Sequence, residues 1–209
     1  MNLPVIAALF AVAAFNAPVE SEDAPDIKRM PAGAYQLDRQ HSHIGFAVSH
    51  VGFSSTRGRF NDYEGRIVLD PGALSKSTGE FVIRTDSIDV NVAELDEELR
   101  GEAFFDAARF PEIVYAFRSV ELTGQSSGKM TGDLTMKGVT RPLTLDVRLN
   151  KILPGPKNPK FTRMGFSAQG VLDRRQWGMD AVDMVGHQVE LVIDAEFTLD
   201  VGVENQVTQ

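Results

Sequence analysis

Four histidines are the residues whose type and spacing could do chemistry in this chain. His41 and His43 stand two apart, so on a strand they share a face and two imidazoles could chelate a metal, with His50 and His187 completing a shell. His41 and His50 are nine apart, however, and face opposite sides of a regular strand. No acidic residue accompanies them at a recognised ligand spacing. They read as structural histidines, hydrogen-bonded to backbone or to a carboxylate, and no metal and no other cofactor is expected. Ser42 beside His41 is only a sequence neighbour, because the chain has no G-x-S-x-G nucleophile elbow. The run Asp96-Glu97-Glu98 reads as a solvated helix face. The chain has no cysteine, which removes disulfides, thiolate zinc sites and a thiol nucleophile together. The catalytic residue is expected to be none.

Composition narrows the partner. The 209 residues carry a formal net charge of −8, whereas a nucleic-acid binder needs a basic face to neutralise phosphates. Hydrophobic residues at 43% and charged residues at 24% suit a soluble globular domain. From Leu3 to Phe15 the chain is almost wholly apolar, a run too short to span a bilayer, and small residues (Ala13, Ala14, Ala17) gather around its end. We read residues 1–17 as a secretory signal peptide, although no Lys or Arg precedes the run; an apolar helix packed on the domain is the alternative. The product would be periplasmic or secreted, with no stable membrane insertion after signal removal. Residues 18–32 are acidic and proline-containing and read as a linker. The domain is expected over 33–201, followed by a polar tail, 202–209.

The elements that must position any site have period two. Val189, Leu191, Ile193, Ala195, Phe197 and Leu199 alternate with mostly polar residues, which describes a strand with one dry face. The same alternation recurs at Ile44-Phe46-Val48, Phe81-Ile83, Ile113-Tyr115-Phe117, Met130-Leu134-Met136 and Leu143-Leu145-Val147-Leu149, and Met164-Phe166 begins another. Turns fall at Asp70-Pro71-Gly72, Gly124 to Gly128, Lys137-Gly138 and Pro154-Gly155-Pro156. Asn91 to Phe105 breaks the rhythm, with Val92, Leu95 and Leu99 at helical spacing and Asn91-Glu94 resembling a capping pair. The result is an all-β chain of about eight or nine antiparallel strands with a short helical insertion after the fourth.

Such strands must close on themselves or pack on a second sheet. Their length, roughly ten residues against a usual mode of about 5–6, favours a barrel over a sandwich. An eight-stranded barrel can hold one small ligand, and long strands make its interior a narrow tunnel suited to an elongated guest. Thirteen phenylalanines against one tryptophan supply apolar wall. On the inward parity we expect lipid contacts from Phe46, Phe81, Phe117 and Phe166. Phe104 and Phe105 would join from the helical cap, and Trp177 with Met179 from the last loop. Arg57, Arg59 and Arg141 are candidates to meet a polar head at the mouth.

Ordered local motifs then resemble the YceI family. They are Tyr35-Gln-Leu-Asp38, His41-Ser42, Phe46, His50-Val-Gly52-Phe53, Gly58-Arg-Phe60 and Gly65, then Ser87-Ile88-Asp89, Leu99 to Asp106 and Phe110-Pro111. Gly132 to Arg141 resembles the central hairpin of that family, and Trp177-Gly178-Met179 with Val185-Gly186-His187 its last loop. The resemblance implies an extended eight-stranded antiparallel lipocalin-like β-barrel, usually exported. It implies a polyisoprenoid, isoprenoid quinone or other long-chain amphiphile as ligand, commonly in a homodimer, with binding and sequestration or transport rather than catalysis. An enzyme acting on a small hydrophobic substrate, and an interaction module with a solid barrel, are the alternatives. Val90 stands where threonine is common in the family, and Arg174-Arg175-Gln176 is more basic than its usual pattern.

Overall fold

Alternating apolar and polar residues make each strand a two-faced ribbon, and the apolar faces turn inward on one another. In the structure, a computed structural model that describes residues 25–153 and 162–200, ten strands do this. They are β1 (Gly33–His50), β2 (Ser54–Phe60), β3 (Tyr63–Leu69), β4 (Thr78–Arg84), β5 (Ile88–Asp89), β6 (Glu112–Leu122), β7 (Ser127–Met136), β8 (Val139–Leu153), β9 (Arg163–Asp173) and β10 (Val185–Asp200). The expected signal peptide, the first part of the linker and the polar tail lie outside the described residues.

The ten strands form eight staves. β2 and β3 both pair with β1 and are one stave broken at Asn61-Asp62. β4 and β5 form another, pairing with β3 and β2 respectively and broken by a 3-10 turn over Thr85–Ser87. β10 pairs back onto β1, from Ala34 with Asp200 to His50 with Val185, and closes the ring. Every pairing is antiparallel. β1, β8 and β10 run 18, 15 and 16 residues, far beyond the usual strand length.

Strand order sorts the connections onto two ends. One, the loop end, carries the β1–β2 hairpin, residues 90–111, the Lys137-Gly138 turn and the β9–β10 connection over 174–184. The other carries residues 25–32, the turn 70–77 and the β6–β7 turn.

Three departures from the expected pattern have local causes. β1 is not regular: four residues, Arg39 to Ser42, oppose the single β10 residue Ala195. The bulge is pinned by the Ser42 hydroxyl, which donates to the Asp38 carbonyl at 2.7 Å and accepts from the Glu196 amide at 3.0 Å, and by the Tyr63 hydroxyl, which donates to the Ser42 carbonyl. It switches the inward parity from Tyr35 and Leu37 to Ile44, Phe46 and Val48. The helix, α1, spans Ala93–Arg100 and follows β1–β4 with only the two-residue β5 between. Its cap is not Asn91, which is turned to φ 60° with its amide donating to the Asp89 carboxylate. Val92 occupies the cap position without a side-chain bond, and Asp96 accepts from the Val90 amide instead. Finally, residues 25–32 are not all linker, because Ile27 and Met30 are buried in the core.

Candidate functional site

The inward residues surround a cavity of about 250 Å3. Its lining runs from Ile27, Leu69 and Leu74 at one end to Met179 and Val185 at the loop end. That volume falls just under the ~300–1,000 Å3 usual for ligand pockets, yet it spans the barrel, so the space is a narrow tunnel. Among the described lining residues only Ser77, Tyr115 and Arg174 carry polar side chains, and each is already engaged. The Ser77 hydroxyl accepts from the Asp70 amide. The Tyr115 hydroxyl reaches the Met130 and Leu143 carbonyls, both at 3.2 Å, and burial raises its pKa.

Arg174 is the one charged residue among the described lining residues, and it is 3% exposed. Its guanidinium donates to four carbonyls, two in its own connection (Met179, and Val182 at 2.5 Å) and two at the start of β10 (Val185 at 2.7 Å and Gly186 at 2.9 Å). Desolvation lowers its pKa from the usual arginine value. The planar fork thus gathers the loop around itself. Its neighbour Arg175 is exposed and holds the Asp173 carboxyl down to about 2 by hydrogen bonding.

The aromatic walls depend on glycine. Across the ladders Phe46 faces Gly58, Phe81 faces Gly65, and Phe117 faces both Gly79 and Gly132. At Gly58, Gly65 and Gly79 a Cβ would collide with the opposing ring. The rings therefore fold down onto the backbone of the next strand instead of filling the lumen. Phe81 and Phe166 both meet Phe197 edge-on, at 6.1 and 5.9 Å between centroids.

All four strand phenylalanines expected at the site, Phe46, Phe81, Phe117 and Phe166, line the cavity. So do Phe104, Phe105 and Met179. Trp177 does not: its buried indole donates to the Leu134 carbonyl at 3.2 Å, outside the lining. Arg57 and Arg59 oppose Ala47 and Gly45, on the parity away from Phe46 and Val48, and both are exposed. Arg59 is spent on the Asp89 carboxylate at 3.2 Å. These two are placed on the outer surface because strand partners share a face. Arg141 opposes the inward Leu134 near the Lys137-Gly138 turn and is exposed, so it stands on the rim. Sequence reasoning missed Ile27 and Met30, whose only signal was an i, i+3 apolar pair inside an acidic stretch, and Arg174, which nothing in the sequence separates from Arg175.

His41 is hydrogen-bonded to the Asp38 carboxylate at 2.9 Å, and this bond chiefly lowers the Asp38 pKa. Glu196 completes a group of three metal-capable side chains on the outer bulge, an acidic neighbourhood the sequence spacing did not reveal. Arg163 lies 3.7 Å from Asp38 and 4.0 Å from Glu196 and supplies counter-charge there. The Ser42 hydroxyl proton goes to the Asp38 carbonyl rather than to an imidazole.

A closed eight-stave antiparallel barrel with one short helix and an apolar lumen defines a lipocalin-like barrel protein. Within that class the chain belongs to the YceI-like domain family, whose model matches residues 35–197. Protein YceI of Salmonella arizonae is 33% identical over 168 residues, covering 79% of this chain and 86% of that protein. Among solved structures, Campylobacter jejuni YceI superposes with a TM-score of 0.64 at 26% identity, covering 71% of this chain and 87% of that one. Burkholderia cenocepacia BcnA superposes with a TM-score of 0.68 at 17% identity, covering 77% and 98%. A domain from Saccharophagus degradans described as polyisoprenoid-binding superposes with a TM-score of 0.62 at 13% identity, covering 79% and 98%. Among the described residues no helix is long and apolar enough to cross a membrane.

Proposed function

We propose that this barrel binds a long-chain amphiphile, such as a polyisoprenoid or an isoprenoid quinone, and sequesters or carries it outside the cytoplasm. One observation carries the reading: the lumen runs between the two ends of the barrel, and its three polar side chains are already hydrogen-bonded. A guest inside gains no polar partner, so it must be apolar along its buried length. Burial at about 0.8 kcal/mol per CH2 gives such a chain affinity without an anchor. The polyisoprenoid-binding description of the Saccharophagus degradans domain supports the same class of ligand. The lipid contacts are then Phe46, Phe81, Phe104, Phe105, Phe117, Phe166 and Met179. Arg141 on the rim is the expected head-group contact, and no catalytic step is assigned.

Native mass spectrometry of protein purified from its source tests this directly. The expected result is an adduct that organic extraction releases as a prenyl or acyl lipid, and the same spectrum reports whether the protein is a homodimer. Protein that arrives without lipid, and takes up none when offered prenols, overturns the reading.

A further inference from the structure

At the end of the lumen opposite the helix, the lining includes two residues from the amino-terminal side of the barrel. Ile27 and Met30, 4% and 5% exposed, both line the cavity. They bracket a 3-10 turn, Ile27–Arg29, whose geometry puts residues three apart on one side. Hydrogen bonds fix that turn, among them the Arg29 amide to the Asp26 carbonyl at 2.9 Å. The Asp26 carboxylate accepts from the Lys28 amide at 2.9 Å, and the Met30 amide donates to the Ile27 carbonyl at 3.2 Å. The Ile27 amide donates to the Gln125 carbonyl at 3.2 Å, and the Tyr35 hydroxyl to the Pro31 carbonyl at 2.7 Å. Two of these ties reach other parts of the barrel, β1 and the β6–β7 turn. Leu74, from the turn 70–77, lines the lumen at the same end.

We propose that this turn is a stop that sets the depth of the lumen and selects ligands by chain length, the ligand tail abutting Ile27 and Met30 and its head lying at the loop end. The proposal rests on the reading of the barrel as a carrier of long-chain amphiphiles. Its physical basis is that each added isoprene unit gains burial until the tail reaches the stop. A further unit must then buckle or remain in water. Affinity therefore passes through a maximum with chain length, at a length set by the side chains at 27 and 30. The two ends differ in kind, which orients the guest. The stop side chains Ile27 and Met30 are apolar, while the loop end carries the exposed rim residue Arg141.

The test is competition among all-trans prenols, from farnesol through geranylgeraniol to solanesol, for delipidated full-length protein, read by native mass spectrometry. The double variant Ile27→Ala/Met30→Ala is expected to move the preferred length upward, and Met30→Phe to move it downward. The ratio of long to short prenol bound should change by about tenfold or more, as burial of even part of an isoprene unit requires. Leu191→Ala, in the wall, should weaken all lengths together. Thermal melts establish that each variant is folded, and the opposite-sense variant keeps the test decisive if the truncated one is not. A prenol bearing a diazirine on its last isoprene should label the peptide containing Ile27 and Met30. An unchanged length profile in variants that still bind prenols, or labelling confined to residues 174–184, overturns the proposal alone. Failure of the native protein to bind any prenol overturns the carrier reading beneath it.

Discussion

The ring of Phe117 lies on the ground that a side chain at Gly79 would occupy. The two residues face one another across the β4–β6 ladder, so the wall is one ring thick at that point and the lumen stays open. Gly79→Ala must push the ring inward or the strand outward. It is expected to cost about 1–3 kcal/mol, the range for overpacking, and to reduce bound lipid. Urea denaturation and lipid extraction measure the two effects. An alanine variant with native stability and full lipid content would show that the ring moves freely.

Phe117→Asp places a carboxylate in a lumen with no uncommitted polar partner. If the variant folds, lipid co-purification should be lost, because a charged wall is a poor neighbour for an alkyl or prenyl chain. Phe117→Leu keeps the wall apolar and should retain lipid. Unchanged lipid in the folded aspartate variant, read by mass spectrometry, would refute the placement of the ligand.

Arg174 and Arg175 are adjacent in sequence and opposite in effect. Arg174→Leu strips partners from four carbonyls at once, and each buried polar group left unpaired costs about 1–3 kcal/mol. The loss should exceed ~3 kcal/mol even if water recovers some of the carbonyls. Arg174→Lys should rescue little, since a single ammonium cannot match the guanidinium fork. Arg175→Ala touches only the exposed pair with Asp173 and should leave the urea midpoint near that of the native protein. Equal effects of the two substitutions would contradict the distinction.

Burial pushes the Tyr35 phenol up to about 12 from an ordinary value of 10.0. Below pH 10 both folded and unfolded chains keep this proton, so it adds no slope to stability. Between about 10 and 12 the unfolded chain loses the proton first, the folded state binds more protons, and stability falls as pH rises. Tyr115 acts in the same direction. Urea midpoints taken across that window should fall less steeply for Tyr35→Phe than for the native protein. Identical slopes would remove Tyr35 from the alkaline limb.

The alternation of residues such as Leu143, Leu145 and Val147 was legible in the sequence because a stave has only two faces. Parity also placed Phe81 and Phe166 correctly on the lumen. It failed where a strand changes phase, and where a residue's fate depends on distant carbonyls. No local pattern announces that Arg39 to Ser42 loop out, because the bulge is held by Glu196 and Tyr63, far along the chain. Arg57 and Arg59 had the right chemistry for a head group on the wrong face. Ile27 and Met30 were masked by their acidic surroundings, since composition averages over a window while burial acts on single side chains.

The seam at Ala34 and Asp200 joins the first strand of the ring to the last. A chain ended anywhere before β10 therefore lacks the strand that closes the ring. It leaves β1 and β9 with unpaired edges and an uncovered apolar face, the features that template aggregation. The same holds briefly during synthesis, when nine strands exist and their final partner does not.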